Sequence, residues 1–484
     1  MIARPAITDE MQVDIAVVGS GPGGAVTATQ CAEAGRSVLL LEEGPHLSIR
    51  SASHFSREEI MQKYRTAGVE IAMGRSMVAF VEGRCVGGGS EVNRGLYHRM
   101  PDYLLDGWRR DFAVRQLSLD DLLPHYEACE KIARVEHLPG AAPLQSERLR
   151  EGADRLGWTA IEAPRLYHYG DGATAGGKQS MSETFVPRFL AAGGQLMPDS
   201  FVSRVVRRNG KWRLSVRHTP DGGPPRQIEV AADVAFLACG AVQTPALLRR
   251  SGIKRNIGNS LRFHPMLKLV AVFENDVNLP GDYDPVHQIK EFEPRFGMGC
   301  SISNRPMLAL AMMSHPDHIQ DVDRDWRRMA IYYVHNRGGR ATVRNLPGFR
   351  DPLVRVNRSA ADVAELAEGL RHLAEALFAA GAITIYPCVS GFPVLHSADD
   401  LRRLPESLPR SDFSATSAHV FASCPMGENR AVSATDSFGR IHDIDGLRIA
   451  DASLFCGPSV VNPQGTVMAI AHRNACQAIE SGFR

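Results

Sequence analysis

Val13-Asp-Ile-Ala-Val-Val18 runs straight into Gly19-Ser-Gly21-Pro-Gly-Gly24, and this junction restricts the possible folds more than any other stretch of the chain. The first half is a short β-branched run, suited to a strand buried on both faces. The second half fits G-x-G-x-x-G. From Gly24 to Ala34, small residues Ala25, Ala28 and Ala32 recur at helical spacing, Gly35 stops the helix, and Ser37-Val-Leu-Leu-Leu41 reads as a second buried strand. Glu42 ends that strand, 18 residues beyond Gly24. A dinucleotide site needs this order. Gly19 allows the tight turn, Gly21 lets the backbone approach a pyrophosphate, and Gly24 lets helix and strand pack closely. The helix start offers N–H donors and a positive dipole, and Glu42 can accept from a ribose hydroxyl. The competing reading is a tight turn with no ligand. FAD and NAD are not separated by this motif.

At 484 residues the chain has room for a second lobe. Lys+Arg 55 against Asp+Glu 54 leaves +1, which supplies neither a basic face for nucleic acid nor an acidic tail. No apolar run approaches the roughly 18 residues of a membrane helix, and Met1 to Met11 carries Asp9 and Glu10 and no signal core. A cytoplasmic protein without a membrane span is expected. The nine cysteines lack CxxC pairs, which fits reduced thiols and no metal site. Glycine clusters at Gly19–Gly24, Gly87–Gly89 and Gly170–Gly177. Asn209-Gly210 between Val202–Val206 and Trp212–Val216 predicts a hairpin. Short apolar segments from about 266 to 346 predict an antiparallel sheet, Leu447–Ala450 a strand, and Ala360–Ala380 and Thr466–Ile479 helices. The fold class expected is α/β with an α+β second lobe. A Rossmann-like nucleotide domain is assembled from discontinuous segments (11–100, 195–264 and 410–484), and an antiparallel-sheet substrate domain takes 101–194 and 265–409.

Further segments carry a likeness. Gly83-Arg-Cys-Val-Gly-Gly-Gly-Ser-Glu-Val-Asn93, Gly240-Ala-Val-Gln-Thr-Pro-Ala-Leu-Leu-Arg-Arg-Ser-Gly252, Ser417-Ala-His419-Val-Phe-Ala-Ser-Cys424-Pro-Met-Gly427 and Val461-Asn462-Pro-Gln-Gly-Thr466 follow one another in order. With these, the chain resembles the glucose–methanol–choline (GMC) flavin oxidoreductases along most of its length; 265–410 matches only loosely and is where substrate would be chosen. The resemblance implies FAD. It places Gly87, Gly88, Gly89 and Ser90 at the pyrophosphate or flavin edge, Asn93 near the isoalloxazine, and the Val202 backbone at the adenine. It also places Asp451 near the ribityl–phosphate stretch, where a helix N-cap is the other reading. Some relatives carry a histidine at the position of Val92 that bonds covalently to flavin; valine cannot, so noncovalent FAD is expected.

His419 matches the family's catalytic histidine, and an imidazole titrating near working pH suits a general base. Asn462 matches the second catalytic position; an amide positions the substrate oxygen and cannot act as a base. Pro463, Gln464 and Thr466 should begin the last helix, with its N-terminus toward flavin N1–C2=O. His442 reads as supporting a turn, His264 has no clear role, Cys424 reads as a buried thiol, and Arg249, Arg250, Lys254 and Arg255 read as a solvated face. Gly297-Met-Gly299 lacks a third glycine and a following helix, so no nicotinamide site is expected. Electrons should leave for oxygen or an external acceptor. The leading reading is oxidation of a small-molecule alcohol. The others are an FAD-containing lyase of the hydroxynitrile-cleaving type, a non-enzymatic flavoprotein, and a nicotinamide-dependent dehydrogenase.

Overall fold

The computed structural model describes residues 9–170, 176–220, 223–279, 281, 283–408 and 415–483. Residues 171–175 of the Gly170–Gly177 cluster and most of the N-terminal segment scanned for a signal lie outside them.

The strand Glu10–Val18 lies inside a parallel sheet in the order Gln195–Met197, Val38–Leu41, Glu10–Val18, Arg226–Leu237, with Leu447–Ile449 joining the far end of the last. Strands flanked on both sides bury both faces, which explains the unbroken apolar runs: Ala16, Val17, Leu39, Leu40 and Leu41 have no exposed surface. The strands Ser200–Arg208 and Lys211–His218 extend the sheet as an antiparallel hairpin. Its turn residues Asn209 and Gly210 have φ of 51° and 78°, the pair of positive angles that matches strand twist. The helix Pro22–Glu33 buries nearly its whole length, because alanine and glycine let it lie flat on the sheet and against the last helix, Gln464–Glu480. It ends where Gly35, at φ 77°, allows Arg36 N–H to reach back to Cys31 O at 3.2 Å.

The second sheet has nine strands, running Glu70–Ala72, Val78–Phe80, Ala415–Ser417, Met266–Phe273, Met329–Asn336, Phe296–Cys300, His287–Ile289, Ala160–Glu162, with Ala382–Pro387 also on Met266–Phe273. All pairings are antiparallel except Val78–Phe80 with Ala415–Ser417. The helix Ala360–Ala379, started by reciprocal Ser359 and Asp362 hydrogen bonds, covers one face together with Leu144–Leu156. Among the described residues no helix is long and apolar enough to cross a membrane.

Two parts of the sequence division change. Helices Asp102–Phe112, Leu119–Ala133 and Phe185–Ala191, expected with the second lobe, bury Leu105, Trp108, Tyr126, Phe185 and Phe189 in the same apolar core as the parallel sheet. Conversely, Glu70–Ala72, Val78–Phe80 and Ala415–Ser417, expected with the nucleotide domain, pair into the antiparallel sheet. An amphipathic segment shows that one face is buried, not which sheet buries it.

A Cβ on Gly23 would sit 1.8 Å from Ala450 O, so Gly23→Ala forces the first helix off the end of the Leu447–Ile449 strand. A loss of about 1–3 kcal/mol is expected, read as a lower urea midpoint. Gly107→Ala, in a helix with nothing within 4 Å of the new methyl, should hold or raise the midpoint.

Candidate active site

A cavity of about 720 Å³ is lined by residues of both sheets. One end is built by the nucleotide turn. Gly19 has φ of +100°, and a Cβ there would meet Ala238 O at 2.2 Å; on Gly24 it would meet Gly19 O at 1.9 Å. Both glycines are demanded by backbone packing, and of the three motif glycines Gly19 and Gly21 line the cavity while Gly24 stands behind it. The second glycine loop comes against the first: a Cβ on Gly88 would lie 2.9 Å from Gly21 Cα. Glu42 ties the two together. Its Oε2 accepts from Ser20 N–H at 3.0 Å and Ser20 Oγ at 2.7 Å, its Oε1 accepts from Gly44 N–H at 2.9 Å, and Gly87 N–H donates to Ser20 Oγ at 3.1 Å. Burial raises the Glu42 carboxyl above its ordinary range, and these donors oppose the rise.

The other expected contacts divide. Gly88, Gly89, Asn93, Val202, Asp451, Pro463 and Gln464 line the cavity, as does Val92. Gly87, Ser90 and Thr466 do not. Ser90 is fully buried, donating to Gly87 O at 2.7 Å and accepting from Met181 N–H at 2.9 Å, so it braces the loop from behind. Thr466 pairs with the Tyr126 hydroxyl at 2.8 Å. Asp451 caps the turn Ala452–Leu454 through Ser453 N–H at 2.8 Å, as its cap reading requires, and it lines the cavity while accepting from Gly240 N–H at 3.0 Å and from the Thr244 hydroxyl. Asn93 donates to the Gln464 side chain, and its backbone carbonyl accepts from the buried Lys178 ammonium, which burial brings down to about 7.

Arg250 departs from the solvated face expected of it. It lines the cavity, donates to Ser203 O at 3.1 Å and lies 5.4 Å over the Phe201 ring, which Arg217 and Arg350 also flank at 5.7 and 4.5 Å. Cys424 is fully buried with its thiol pushed up to about 12 by burial, and His442 bonds Gly427 O at 3.1 Å, both as structural readings require.

At the opposite end His419 and Asn462 meet. His419 Nδ1 lies 2.8 Å from His264 Nδ1, and His419 Nε2 lies 3.3 Å from Asn462 Nδ2. The protons can be placed by elimination. His264 Nε2 faces Ser459 O at 2.8 Å, and a carbonyl only accepts, so Nε2 carries the hydrogen. Burial holds His264 neutral, so its Nδ1 is bare and accepts from His419 Nδ1–H. The lone pair of His419 is thereby left on Nε2. Asn462 is oriented in turn, its Oδ1 accepting from Gln288 Nε2 at 3.2 Å.

His335 stacks on His264 with centroids 4.8 Å apart and lines the cavity; its Nδ1 has no partner among the described residues. Gly297 and Gly299, unexplained as a nucleotide motif, make room here. Cβ atoms on them would meet His335 Nε2 at 3.0 Å and Tyr333 Oη at 2.4 Å. Burial brings His419 to about 4 and His335 to about 3. Sequence reasoning missed His335, Gln288, Tyr333, Lys178 and the role of His264. His264 and His419 stand 155 residues apart, so nothing in the sequence pairs them.

Two family models, each described as GMC oxidoreductase, match residues 24–266 and 336–471. A GMC-type oxidoreductase of Sinorhizobium fredii is 34% identical, covering 98% of this chain and 96% of its own. The chain belongs to the GMC oxidoreductase family. A long-chain-alcohol oxidase of Arabidopsis thaliana is 27% identical over 96% of this chain and 68% of its own. Among solved structures, pyridoxine 4-oxidase from Mesorbium loti aligns with a TM-score of 0.73 at 18% identity, covering 96% of this chain and 98% of that one. A formate oxidase aligns at 0.75 and 16%, covering 98% and 99%. At these identities the likeness establishes the fold. The α/β architecture with a second-lobe sheet is that of GMC flavoenzymes, and family membership implies flavin.

Because His419 and His335 are held below the ordinary histidine value, the unfolded chain binds protons between about pH 6.5 and 4 that the folded chain does not. Stability therefore falls as pH is lowered through that window. The unfolding temperature should drop from pH 7 to 4.5, and His335→Gln should flatten the drop.

Proposed function

We propose that this oxidoreductase binds FAD noncovalently and oxidises a primary or secondary alcohol to a carbonyl, with His419 as general base. The observation that carries the reading is the convergence of the bare Nε2 of His419 and the amide of Asn462 on the cavity wall. The cavity suits FAD at its nucleotide end. The glycine turns present backbone without Cβ atoms, the first helix begins at Pro22 without a side-chain cap, and Glu42 and Asp451 face the space. Gly19, Gly21, Gly88, Gly89, Glu42, Asp451 and the Val202 backbone would hold the cofactor, with Asn93, Pro463 and Gln464 near its ring system. Val92 offers no nucleophile for a covalent link. FAD bound there supplies the acceptor for the hydride leaving the carbinol carbon.

The chain's own part is proton handling and orientation. The alcohol hydroxyl donates to His419 Nε2 while its oxygen accepts from Asn462 Nδ2–H. As the proton transfers, His419 becomes an imidazolium whose Nδ1–H is already directed at His264 Nδ1. His264 thus sets the tautomer in advance, the task a carboxylate performs in hydrolytic triads. The second lobe contributes Met266, Ile302, Met307 and Leu310 to the cavity lining, which favours an apolar alcohol. The Arabidopsis relative, a long-chain-alcohol oxidase, supports the same class.

The test is the visible spectrum of the purified protein, titrated anaerobically with an alcohol panel. Bleaching of the flavin band by one alcohol supports the reading; readmitted air then separates an oxidase from a dehydrogenase. A flavin that stays oxidised while a substrate is cleaved overturns it in favour of a lyase. His419→Ala should keep its flavin and lose about 10²–10⁴-fold in kcat. His264→Leu should lose tenfold or more in kcat with KM and flavin content unchanged. A base near 4 is free of its proton throughout the neutral range, so kcat/KM should stay level from pH 8 to about 5 and fall tenfold per unit below about pH 4.

A further inference from the structure

We propose that His125, His472 and Cys476 form a binding site for a divalent cation of the Zn²⁺ class, clamping the last helix to Leu119–Ala133. The two helices carry the same short pattern, His125-Tyr-Glu-Ala-Cys129 and His472-Arg-Asn-Ala-Cys476, and they pack directly on each other. Residues four apart share one helix face, so each pattern sets an imidazole and a thiol one above the other. The absence of CxxC pairs, which argued against a metal site, does not bear on a set divided between helices 347 residues apart.

The ligand atoms converge. His125 Nδ1 lies 2.9 Å from His472 Nδ1, Cys476 Sγ lies 3.6 Å from His472 Nδ1, and all three atoms fall within 4.8 Å of one another. Around a tetrahedral Zn²⁺, bond lengths of about 2.0–2.1 Å to nitrogen and about 2.3 Å to sulfur require separations of about 3.3 Å for N···N and about 3.6 Å for N···S. Cys476 Sγ is at that separation from His472 Nδ1 and within 4.8 Å of His125 Nδ1, and the nitrogens need to part by a few tenths of an ångström.

The surroundings favour a cation. Two Nδ1 atoms this close share at most one proton, and burial keeps His125 neutral, at about 4, and lowers His472 as well. Glu33 and Glu480 bring negative charge toward His472 and Cys476. Arg473, whose charge reaches His125, has its guanidinium held by Gln116 O at 2.8 Å and by Ser437 O. All three ligands are partly exposed, so solvent can deliver the ion and supply its fourth ligand. Binding replaces the thiol proton of Cys476 with the metal and releases it to solvent. The site stands eight residues into the last helix, ~12 Å along its axis from Gln464. It braces the element that presents Gln464 to the cavity without touching the reacting groups.

The test uses the full chain with its flavin, stripped of metal by EDTA and dialysed, then equilibrated with ZnCl₂ and assayed for bound zinc. One tight equivalent per chain and a higher unfolding temperature are expected. Substituting CoCl₂ should give tetrahedral ligand-field bands at wavelengths beyond the flavin absorption. Cys476→Ser and His472→Gln, checked for flavin content, should each weaken zinc binding a hundredfold or more and remove the cobalt bands. His442→Gln should bind as the parent does. Less than one equivalent in the parent, or unchanged binding in both ligand variants, would overturn the proposal.

Discussion

Where the turn after the first strand meets the loop Gly87–Gly89, two backbones touch with no side chain between them, Gly88 against Gly21. Glu42 lies behind this contact and holds both turns through Ser20, so one buried carboxylate sets the separation of two loops nearly seventy residues apart. Its cost is burial of an acid, offset by three donors to its oxygens. Everything downstream depends on this junction, because the short helix Gly89–Val92 leads from it to Asn93, and Asn93 in turn holds Gln464 at the start of the last helix.

The reacting end follows a different physical rule. A chain of imidazoles, His335 on His264 and His264 against His419, is held neutral by desolvation, with His264 fully buried and the other two on the cavity wall. Neutral histidines have one donor and one acceptor each, so a single fixed carbonyl, Ser459 O, propagates a proton arrangement through the pair and leaves the lone pair at His419 Nε2. The low basicity that burial imposes keeps this lone pair free. In the proposed reaction the alcohol proton would be taken by a group whose conjugate acid already has an acceptor in place.

The two lobes divide these tasks, though not along the chain. The parallel sheet and its helices shape the nucleotide end, and the antiparallel sheet supplies Gln288 from His287–Ile289 and Tyr333 and His335 from Met329–Asn336, with Phe296–Cys300 between the two strands. Cβ atoms on Gly297 and Gly299 would meet His335 and Tyr333, so the failed nucleotide motif makes room for two side chains that line the cavity. Helices Asp102–Phe112, Leu119–Ala133 and Phe185–Ala191 join the nucleotide core while Leu144–Leu156 stays on the other sheet with the strands around 70–80, so the chain passes between lobes more often than its segment pattern suggested.

The nucleotide turn, the first strands, the Asn209-Gly210 hairpin and the helix at 360–379 were legible in the sequence because each rests on neighbours within about twenty residues: backbone angles open to glycine, helical or strand periodicity, and caps. His419 and Asn462 were legible only through resemblance to a family, and the family models bear that resemblance out. What only the tertiary structure decided is how distant residues face each other. His264 gained a role, Arg250 turned from solvent into the cavity, Ser90 and Thr466 moved behind the wall, and His125 came to face His472. The physical reason is that hydrogen bonding and desolvation act over a few ångströms of space, whatever the distance along the chain, and only the packed core brings such residues within that range.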